Sequence, residues 1–224
     1  MQAIFAPLVN ITIELLKFFY SLVPNYGAAI IFITILMKLA LYPLTLQSTK
    51  QMAAMQKIQP KLQDLQKKHK ENPKELQKRT MELYQEEGVN PFGGCLPMLL
   101  QLPVFLALFF ALNSPEFKEI LTSPGVNGGF LWIKNLAEPE AIFINLFSLN
   151  IKLPIFAMLI GLTTFWSQKT MPQAGGKGTQ PMIYFMPVFI AYISIYFPAG
   201  VQIYWLAQTI ITALQQSYIL KNSG

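Results

Sequence analysis

The sequence contains few charged, cysteine and histidine residues for its length. Its 224 residues include one cysteine, Cys95, and one histidine, His69. A single cysteine excludes an internal disulfide, and together the two residues cannot form a His/Cys metal site of the usual spacing, so we predict neither metal nor cofactor. Charged residues make up only 12% of the chain, which is about half their share in an ordinary soluble domain.

Apolar residues are abundant instead and make up 53% of the chain, which predicts a multi-pass membrane protein. The apolar segments cover residues 26–46, 95–112, 153–167, 182–197 and 201–220. We therefore predict an all-α integral membrane fold with five transmembrane helices. Several segments are shorter than the ~20 residues that a bilayer crossing needs, which indicates either longer helices or a locally thinner membrane.

The first 24 residues do not resemble a cleaved signal peptide, because no basic residue precedes their apolar stretch. Their polar residues Asn10, Glu14, Lys17 and Ser21 follow one another at steps of three and four, and so share one face of a helix. This pattern favours an amphipathic helix that lies in the membrane interface. The alternative is a sixth, poor transmembrane helix.

The distribution of basic residues predicts the orientation. Nine lysine and arginine residues lie between positions 50 and 88, against three between positions 113 and 152. Basic residues favour the cytoplasmic side of a membrane, so the first loop is predicted to be cytoplasmic and the second external. Alternation then places the loop 169–181 and the C-terminus in the cytoplasm, and the N-terminus outside. Residues 171–181 of that loop are predicted as a flexible turn.

The cytoplasmic loop has the pattern of a helical hairpin. Apolar residues recur at helical spacing through residues 52–65 and again through residues 76–84. Between them, Asn72 is a predicted N-cap with Glu75 in the capping-box position, and Gly88 is a predicted C-terminal glycine.

The hairpin carries most of the basic side chains, among them Lys57, Lys61, Lys67, Lys68, Lys74, Lys78 and Arg79. It is interpreted either as a solvated coiled coil or as a docking site for substrate or partner. Glutamate and glutamine separate the lysines, without interleaved aromatics, so nucleic-acid binding is the least favoured interpretation.

The predicted organisation follows from these segments. It comprises an interfacial helix at 1–24, a first transmembrane helix at 25–49, the hairpin at 50–90 and four more transmembrane helices within 91–224, with an external loop at 113–152.

Lys38 lies near the middle of the first apolar segment, and all eleven acidic residues lie outside the five segments. A lysine at the centre of a membrane costs about 2.5–3.5 kcal/mol. Loss of its proton, extension of its side chain toward the interface, or a water-filled cavity could each offset this cost.

Uncharged polar residues in the other segments favour the cavity. Thr34 shares a helical face with Lys38, and Trp205, Gln208, Thr212 and Gln215 share a face of the last segment. If these faces converge, they form a wet, positively charged groove within the membrane. The alternative for each polar residue alone is an ordinary hydrogen bond between helices.

Several motifs resemble the YidC family of membrane protein insertases, whose relatives serve mitochondria and chloroplasts. They are "LMKLALYPLTLQSTK", "GVNPFGGCLPMLLQLPVF", "LTTFWSQKTMP" and "FPAGVQIYWLAQTIITALQQ", and the resemblance spans nearly the whole chain. It implies five core transmembrane helices, an interfacial helix and a cytoplasmic hairpin. It also implies a short form, without the large extracytoplasmic domain of some relatives and without the long basic C-terminal tail of others.

The resemblance implies that Lys38 takes the position of the family's groove arginine. Arginine binds a carboxylate with a planar fork, whereas lysine presents a point charge. Thr34, Trp205 and Gln168 are implied to line the same groove, and Cys95 is implied to be a packing residue.

The resemblance implies a chaperone-like insertase of a bacterial cell membrane, with no catalytic residues. Its substrates would be nascent membrane proteins with short hydrophilic N-terminal segments; the Sec translocon, the ribosome and membrane lipids are candidate partners. The main alternative is a small-anion transporter or channel that uses Lys38, although the five segments show no inverted repeat. A membrane enzyme is disfavoured because the segments hold no credible set of acid, base and nucleophile.

Overall fold

The computed structural model describes residues 2–90, 96–140, 142–146, 149–170 and 180–222. Within these residues the chain forms nine α-helices and one pair of β-strands. The helices are α1 (Gln2–Leu22), α2 (Tyr26–Ala40), α3 (Tyr42–Lys68), α4 (Pro73–Glu86), α5 (Leu96–Asn113), α6 (Pro115–Thr122), α7 (Ile155–Thr170), α8 (Gln180–Ser194) and α9 (Ala199–Asn222), and the strands are β1 (Ile142–Leu146) and β2 (Leu149–Leu153). Cys95 and residues 171–179 of the predicted flexible turn lie outside the described residues.

The predicted helical class is confirmed, with one addition. β1 and β2 form an antiparallel pair in which Ile142 lies opposite Leu153, and Ile144 lies opposite Ile151. The short helix α6 lies within the segment 113–152, which was predicted as a loop. The strand pair was not predicted. Its isoleucines are β-branched residues that favour extended backbone, so residue type agrees with the observed strands.

The first predicted transmembrane helix is interrupted in the structure. α2 ends at Ala40 and α3 begins at Tyr42. Pro43 explains the break, because proline lacks an N–H group and its ring clashes with the carbonyl group four residues earlier. Pro43 lies in the first turn of α3, where a missing N–H removes no helical hydrogen bond. α3 then continues as one helix into the hairpin.

A single helix needs ~20 mainly apolar residues to cross a bilayer. Taken singly, no helix in the described ranges is both long enough and apolar enough to span a membrane. The segment Ala6–Leu22 and α2 reach that length only as a pair, with a bend of 114° between them. The arrangement of five transmembrane helices therefore stays a prediction.

Residues 114–140 lie at one end of the helix bundle, which we call the loop end. A hydrophobic core at this end joins α1, α2, α5, α6, α7 and α9. Leu16 and Leu112 are completely buried there. The ring of Tyr26 stacks on Tyr20 at 4.2 Å and meets the edge of Phe117 at 5.1 Å. The core therefore fastens α1 and the first turn of α2 to the loop.

The junction between α1 and α2 is bonded directly to the loop. Asn25 accepts a hydrogen bond from the backbone N–H of Ala28, which caps α2, and its side-chain amide donates to the carbonyl of Gly129 at 3.0 Å. Gly27 lies against Phe130, and a Cβ atom at position 27 would be 2.3 Å from Cγ of that ring. Only glycine allows this close approach.

The loop also aligns the first turns of α7 and α9. Glu140 is buried, and its two carboxylate oxygens accept hydrogen bonds from the indole N–H of Trp132 and the backbone N–H of Phe156, both at 2.7 Å. The backbone N–H of Ala199 donates to the carbonyl of Glu138 at 2.7 Å. Both helices therefore begin at the loop end.

α1 has the amphipathic character that the sequence predicted. Ile13 and Leu16 are buried, whereas Asn10, Glu14 and Ser21 of the polar face are exposed. The ammonium group of Lys17 forms ion pairs with Glu14 at 3.0 Å and Glu116 at 3.1 Å. Hydrogen bonds to these two carboxylates raise the pKa of Lys17, and the pair with Glu116 links α1 to α6.

α3 and α4 form the predicted helical hairpin around a small apolar core of Met55, Ile58, Leu62, Leu83 and Val89. The backbone N–H of Asn90 donates to the side chain of Gln51 at 3.2 Å, which places the end of the hairpin beside its start.

The predicted helix caps of the hairpin are confirmed in part. The side chain of Asn72 accepts a hydrogen bond from the backbone N–H of Glu75 at 3.2 Å, and Gly88 follows α4 with a φ of +62°. The predicted capping box does not form: the backbone N–H of Asn72 donates to the carbonyl of His69 at 3.0 Å. The carboxylate of Glu75 accepts from Nε of Arg79 at 2.9 Å.

Candidate functional site

Lys38 lies two residues before the last position of α2 and is buried, with only 7% of its surface exposed. Its ammonium group donates to Oγ1 of Thr212 at 2.7 Å and to Oε1 of Gln101 at 3.1 Å. Thr212 belongs to α9 and Gln101 to α5, so one side chain links three helices. Both acceptors are neutral oxygens.

Further hydrogen bonds hold each acceptor in place. Nε2 of Gln101 donates to the hydroxyl oxygen of Tyr204 at 2.6 Å, which orients the amide so that its oxygen faces Lys38. Oγ1 of Thr212 donates to the carbonyl oxygen of Gln208 at 2.7 Å. We call Lys38, Gln101, Tyr204 and Thr212 the polar layer.

The polar layer forms because its helices begin or end together at the loop end. Lys38, Gln101 and Thr212 each lie 12 or 13 residues from the loop end of their own helix. At ~1.5 Å per residue this places all three about 18–20 Å along their helices. Gln168 lies 13 residues along α7, at the same depth.

The other predicted groove residues occupy different surroundings. Thr34 is buried, and its hydroxyl donates to the carbonyl of Ile30 within α2. The ring of Trp205 packs against Phe105 and Phe197, at 5.4 and 6.0 Å between ring centres. Of the predicted groove residues, Thr212 accepts a hydrogen bond from Lys38, and the backbone carbonyl of Gln208 accepts one from Thr212. The role of the whole set in a wet groove stays a prediction.

Two residues of the polar layer were missing from the predicted groove. Gln101 is a polar residue in an otherwise apolar helix, and this was its signal in the sequence. Tyr204 precedes Gln208 and Thr212 by four and eight residues, so it shares their helical face. That spacing could have identified Tyr204, whose aromatic ring also suits an apolar core.

The predicted docking cations lie on the surface of the hairpin, where all seven are exposed. Several are paired: Lys61 with Glu87, Lys67 with Asp64, Lys78 with Glu82, and Arg79 with both Glu75 and Glu82. Within the described part of the chain, no ion pair is recorded for Lys57, Lys68 or Lys74.

A cavity of about 330 Å³ opens between α3 and α4. Leu65 and Leu83 provide its apolar surface, and the charged residues Lys61, Asp64, Lys68, Arg79, Glu82 and Glu86 complete the lining. The hairpin therefore offers a small concave surface with charges of both signs.

Comparison with known proteins places the chain in a family. The protein-family model described as "60Kd inner membrane protein" matches residues 18–223. "Membrane protein insertase YidC" of Geobacter metallireducens is 41% identical over 97% of this chain, and that of Endomicrobium trichonymphae is 37% identical over 98%. The chain belongs to the YidC family.

A solved YidC structure shares the fold. The structure described as "Active YidC insertase crystal structure with the first transmembrane domain resolved" has a TM-score of 0.68 and 28% sequence identity, and covers 95% of this chain and 45% of that one. The chain spans 38% and 41% of the length of the two YidC relatives named above.

Proposed function

We propose that this chain acts as a membrane protein insertase in a bacterial cell membrane. Its YidC relatives carry that name, and the polar layer is suited to the task. The observation that carries the proposal is the buried ammonium of Lys38, whose hydrogen bonds go to the neutral oxygens of Gln101 and Thr212. A client carboxylate is a stronger partner for this charge than either neutral oxygen.

The proposed client is a newly made membrane protein with a short acidic or polar N-terminal segment. The hairpin receives the chain, the segment enters beside Lys38, and the apolar part leaves along the first and last spans into lipid. Two opposite charges at 4 Å attract by about 4 kcal/mol at the effective dielectric of a protein near its surface. Lys38 therefore lowers the cost of holding an acidic segment at this depth.

The proposed topology has five transmembrane helices, an external N-terminus and a cytoplasmic C-terminus. The distribution of basic residues supports it, since nine lie between positions 50 and 88. α1 lies in the interface in this arrangement. Its apolar side chains Ile11, Phe18 and Leu22, which are exposed in the structure, would contact lipid.

The hairpin is the proposed contact for clients and for partners such as the Sec translocon or the ribosome. Its support is the cavity between α3 and α4, together with the exposed cations Lys57, Lys68 and Lys74. A surface with both apolar and charged groups can contact an emerging chain without matching one sequence.

An insertion assay in proteoliposomes tests the proposed function. We expect Lys38→Ala to reduce insertion of a single-span client with aspartates in its N-terminal tail by about tenfold, because a hydrogen bond to a charged group is lost. Lys38→Arg should retain insertion, since the positive charge remains. A client with asparagines at the same positions is the matched control and should be affected less.

Full activity of Lys38→Ala toward the acidic client would contradict the role of the charge. Uptake of a small anion by the same proteoliposomes, without insertion of either client, would favour the transporter instead.

A further inference from the structure

The hydrogen bonds of Lys38 also connect three helices. The same ammonium group binds α5 through Gln101 and α9 through Thr212, while its backbone belongs to α2. We propose that the polar layer is a latch, which keeps these three helices together at rest and is released when a client carboxylate replaces the two neutral acceptors. This inference rests on the insertase function proposed above.

The exchange of hydrogen-bond partners at Lys38 determines which clients can release the latch. The bonds of Lys38 to Gln101 and Thr212 already have a charged donor, and a carboxylate acceptor adds the attraction between opposite full charges. A carboxylate can therefore replace the oxygens of Gln101 and Thr212. A neutral amide or hydroxyl offers Lys38 only an acceptor like those it already has. The latch thereby favours acidic segments over neutral ones.

Tyr204 is a positioning residue in this scheme. Its hydroxyl oxygen accepts the amide N–H of Gln101 at 2.6 Å, and Tyr204 is itself buried. The bond holds the amide so that Oε1 of Gln101 points at Lys38. Without the hydroxyl, the amide can rotate and present its NH₂ group, which cannot accept a hydrogen bond from the ammonium.

The packing of α5 against α9 indicates which end of the helices separates. At the loop end, a Cβ atom added to Gly200 would lie 2.7 Å from Cδ1 of Leu112, so the helices touch tightly there. The aromatic contact of Phe105 with Trp205, at 5.4 Å, lies between that point and the polar layer. Release of Lys38 therefore detaches α2 from Gln101 of α5 toward the hairpin, with the loop end as the hinge. The bond between Gln101 and Tyr204 still joins α5 to α9, and Gln215 still donates to the carbonyl of Lys38 at 3.4 Å.

A cysteine at position 34 can report on the latch in the absence of a client. Thr34 is 1% exposed and lies one turn before Lys38. Its hydroxyl bonds within α2, so Thr34→Cys removes no recorded hydrogen bond between helices. In a Cys95→Ser background, reconstituted in phosphatidylcholine–phosphatidylglycerol vesicles, we expect slow labelling by a water-soluble maleimide.

Variants of the acceptors then separate the latch from simple packing. Thr212→Val removes the acceptor at nearly constant size, and we expect it to raise the labelling rate of Thr34→Cys by about tenfold. Thr212→Ser keeps the hydroxyl and should restore protection. Tyr204→Phe should give an intermediate rate. Labelling in Thr212→Val that is as slow as in Thr212→Ser would overturn the latch.

Client insertion provides the second measurement. Thr212→Val should reduce the preference for the aspartate client over the matched asparagine client, chiefly because the asparagine client is inserted better. Thr212→Ser should keep the preference. Equal losses of insertion for the two clients would contradict the proposed preference for acidic segments. Failure of the proposed function would appear as an unchanged rate of client insertion in Lys38→Ala. Labelling at position 34 needs no client, so it tests the latch separately.

Discussion

Glu140 and Lys38 are both buried, at 2% and 7% exposure, but their partners differ in kind. Glu140 accepts the backbone N–H of Phe156 in the first turn of α7, where the helix dipole also favours a negative charge. Lys38 donates to side-chain oxygens, which an incoming anion can replace. Glu140 is therefore a fixed part of the structure, whereas Lys38 is the group that we propose exchanges its partners.

Glu140→Gln tests the structural role of the buried carboxylate. A glutamine has one acceptor oxygen, so either Trp132 or Phe156 loses its partner, and we expect the free energy of unfolding to fall by about 1–3 kcal/mol. Thermal unfolding in detergent would measure the change. The exposed neighbour Glu138 provides the control, and a Glu140→Gln variant as stable as Glu138→Gln would contradict the assignment.

Gly27 and Phe130 form a pair that a double-mutant cycle can test. Gly27→Ala places a methyl group 2.3 Å from the ring, and we expect destabilisation of about 1–3 kcal/mol from overpacking. In a Phe130→Ala background the added methyl group meets no ring, so its cost should vanish. Additive losses in the two single variants and the double variant would contradict the contact.

The sequence identified two of the four residues of the polar layer, Lys38 and Thr212, and none of the hydrogen bonds between them. Lys38 and Gln101 stand out as polar residues in apolar helices, and Thr212 was found through its helical face. The hydrogen bonds of Lys38, however, join residues 63 and 174 positions apart. Such pairs depend on how the helices pack, which no local pattern encodes.

At the scale of elements, local signals decided which predictions succeeded. Asn72 and Gly88 delimit α4 as predicted, because capping depends on neighbouring residues alone. The break after Ala40 could also have been predicted from Pro43. The capping box is absent because the N–H of Asn72 donates to the carbonyl of His69, while Glu75 pairs with Arg79 one turn along the same helix.

The hairpin core gives a prediction with a matched control. Leu83 is 8% exposed between α3 and α4, whereas Met81 on the same helix is 48% exposed. We expect Leu83→Ala to destabilise the hairpin by about 2–5 kcal/mol through loss of buried surface and a cavity. Limited proteolysis of the native protein should then cut within α3 and α4 faster. Met81→Ala should be cut at the parental rate, and equal rates for both variants would exclude the proposed core.

At the scale of the whole molecule, the hairpin and the loop end lie at opposite ends of α5 and α9, which agrees with their proposed location on opposite sides of the membrane. Cysteines at positions 57 and 118, in a Cys95→Ser background, test this arrangement. We expect an impermeant thiol reagent to label Lys118→Cys in spheroplasts and Lys57→Cys in inside-out vesicles. Labelling of both positions from one side would refute the topology.

The length of α3 has a mechanical consequence for the molecule. It is a single helix of 27 residues from Tyr42 to Lys68, which is about 40 Å at ~1.5 Å per residue. Its first turns are embedded in the bundle through buried Thr45, Ser48 and Thr49, whereas its far end projects with the hairpin. α3 is thus a lever arm: a sideways pull on the hairpin tip exerts a torque at its base, four residues beyond Lys38.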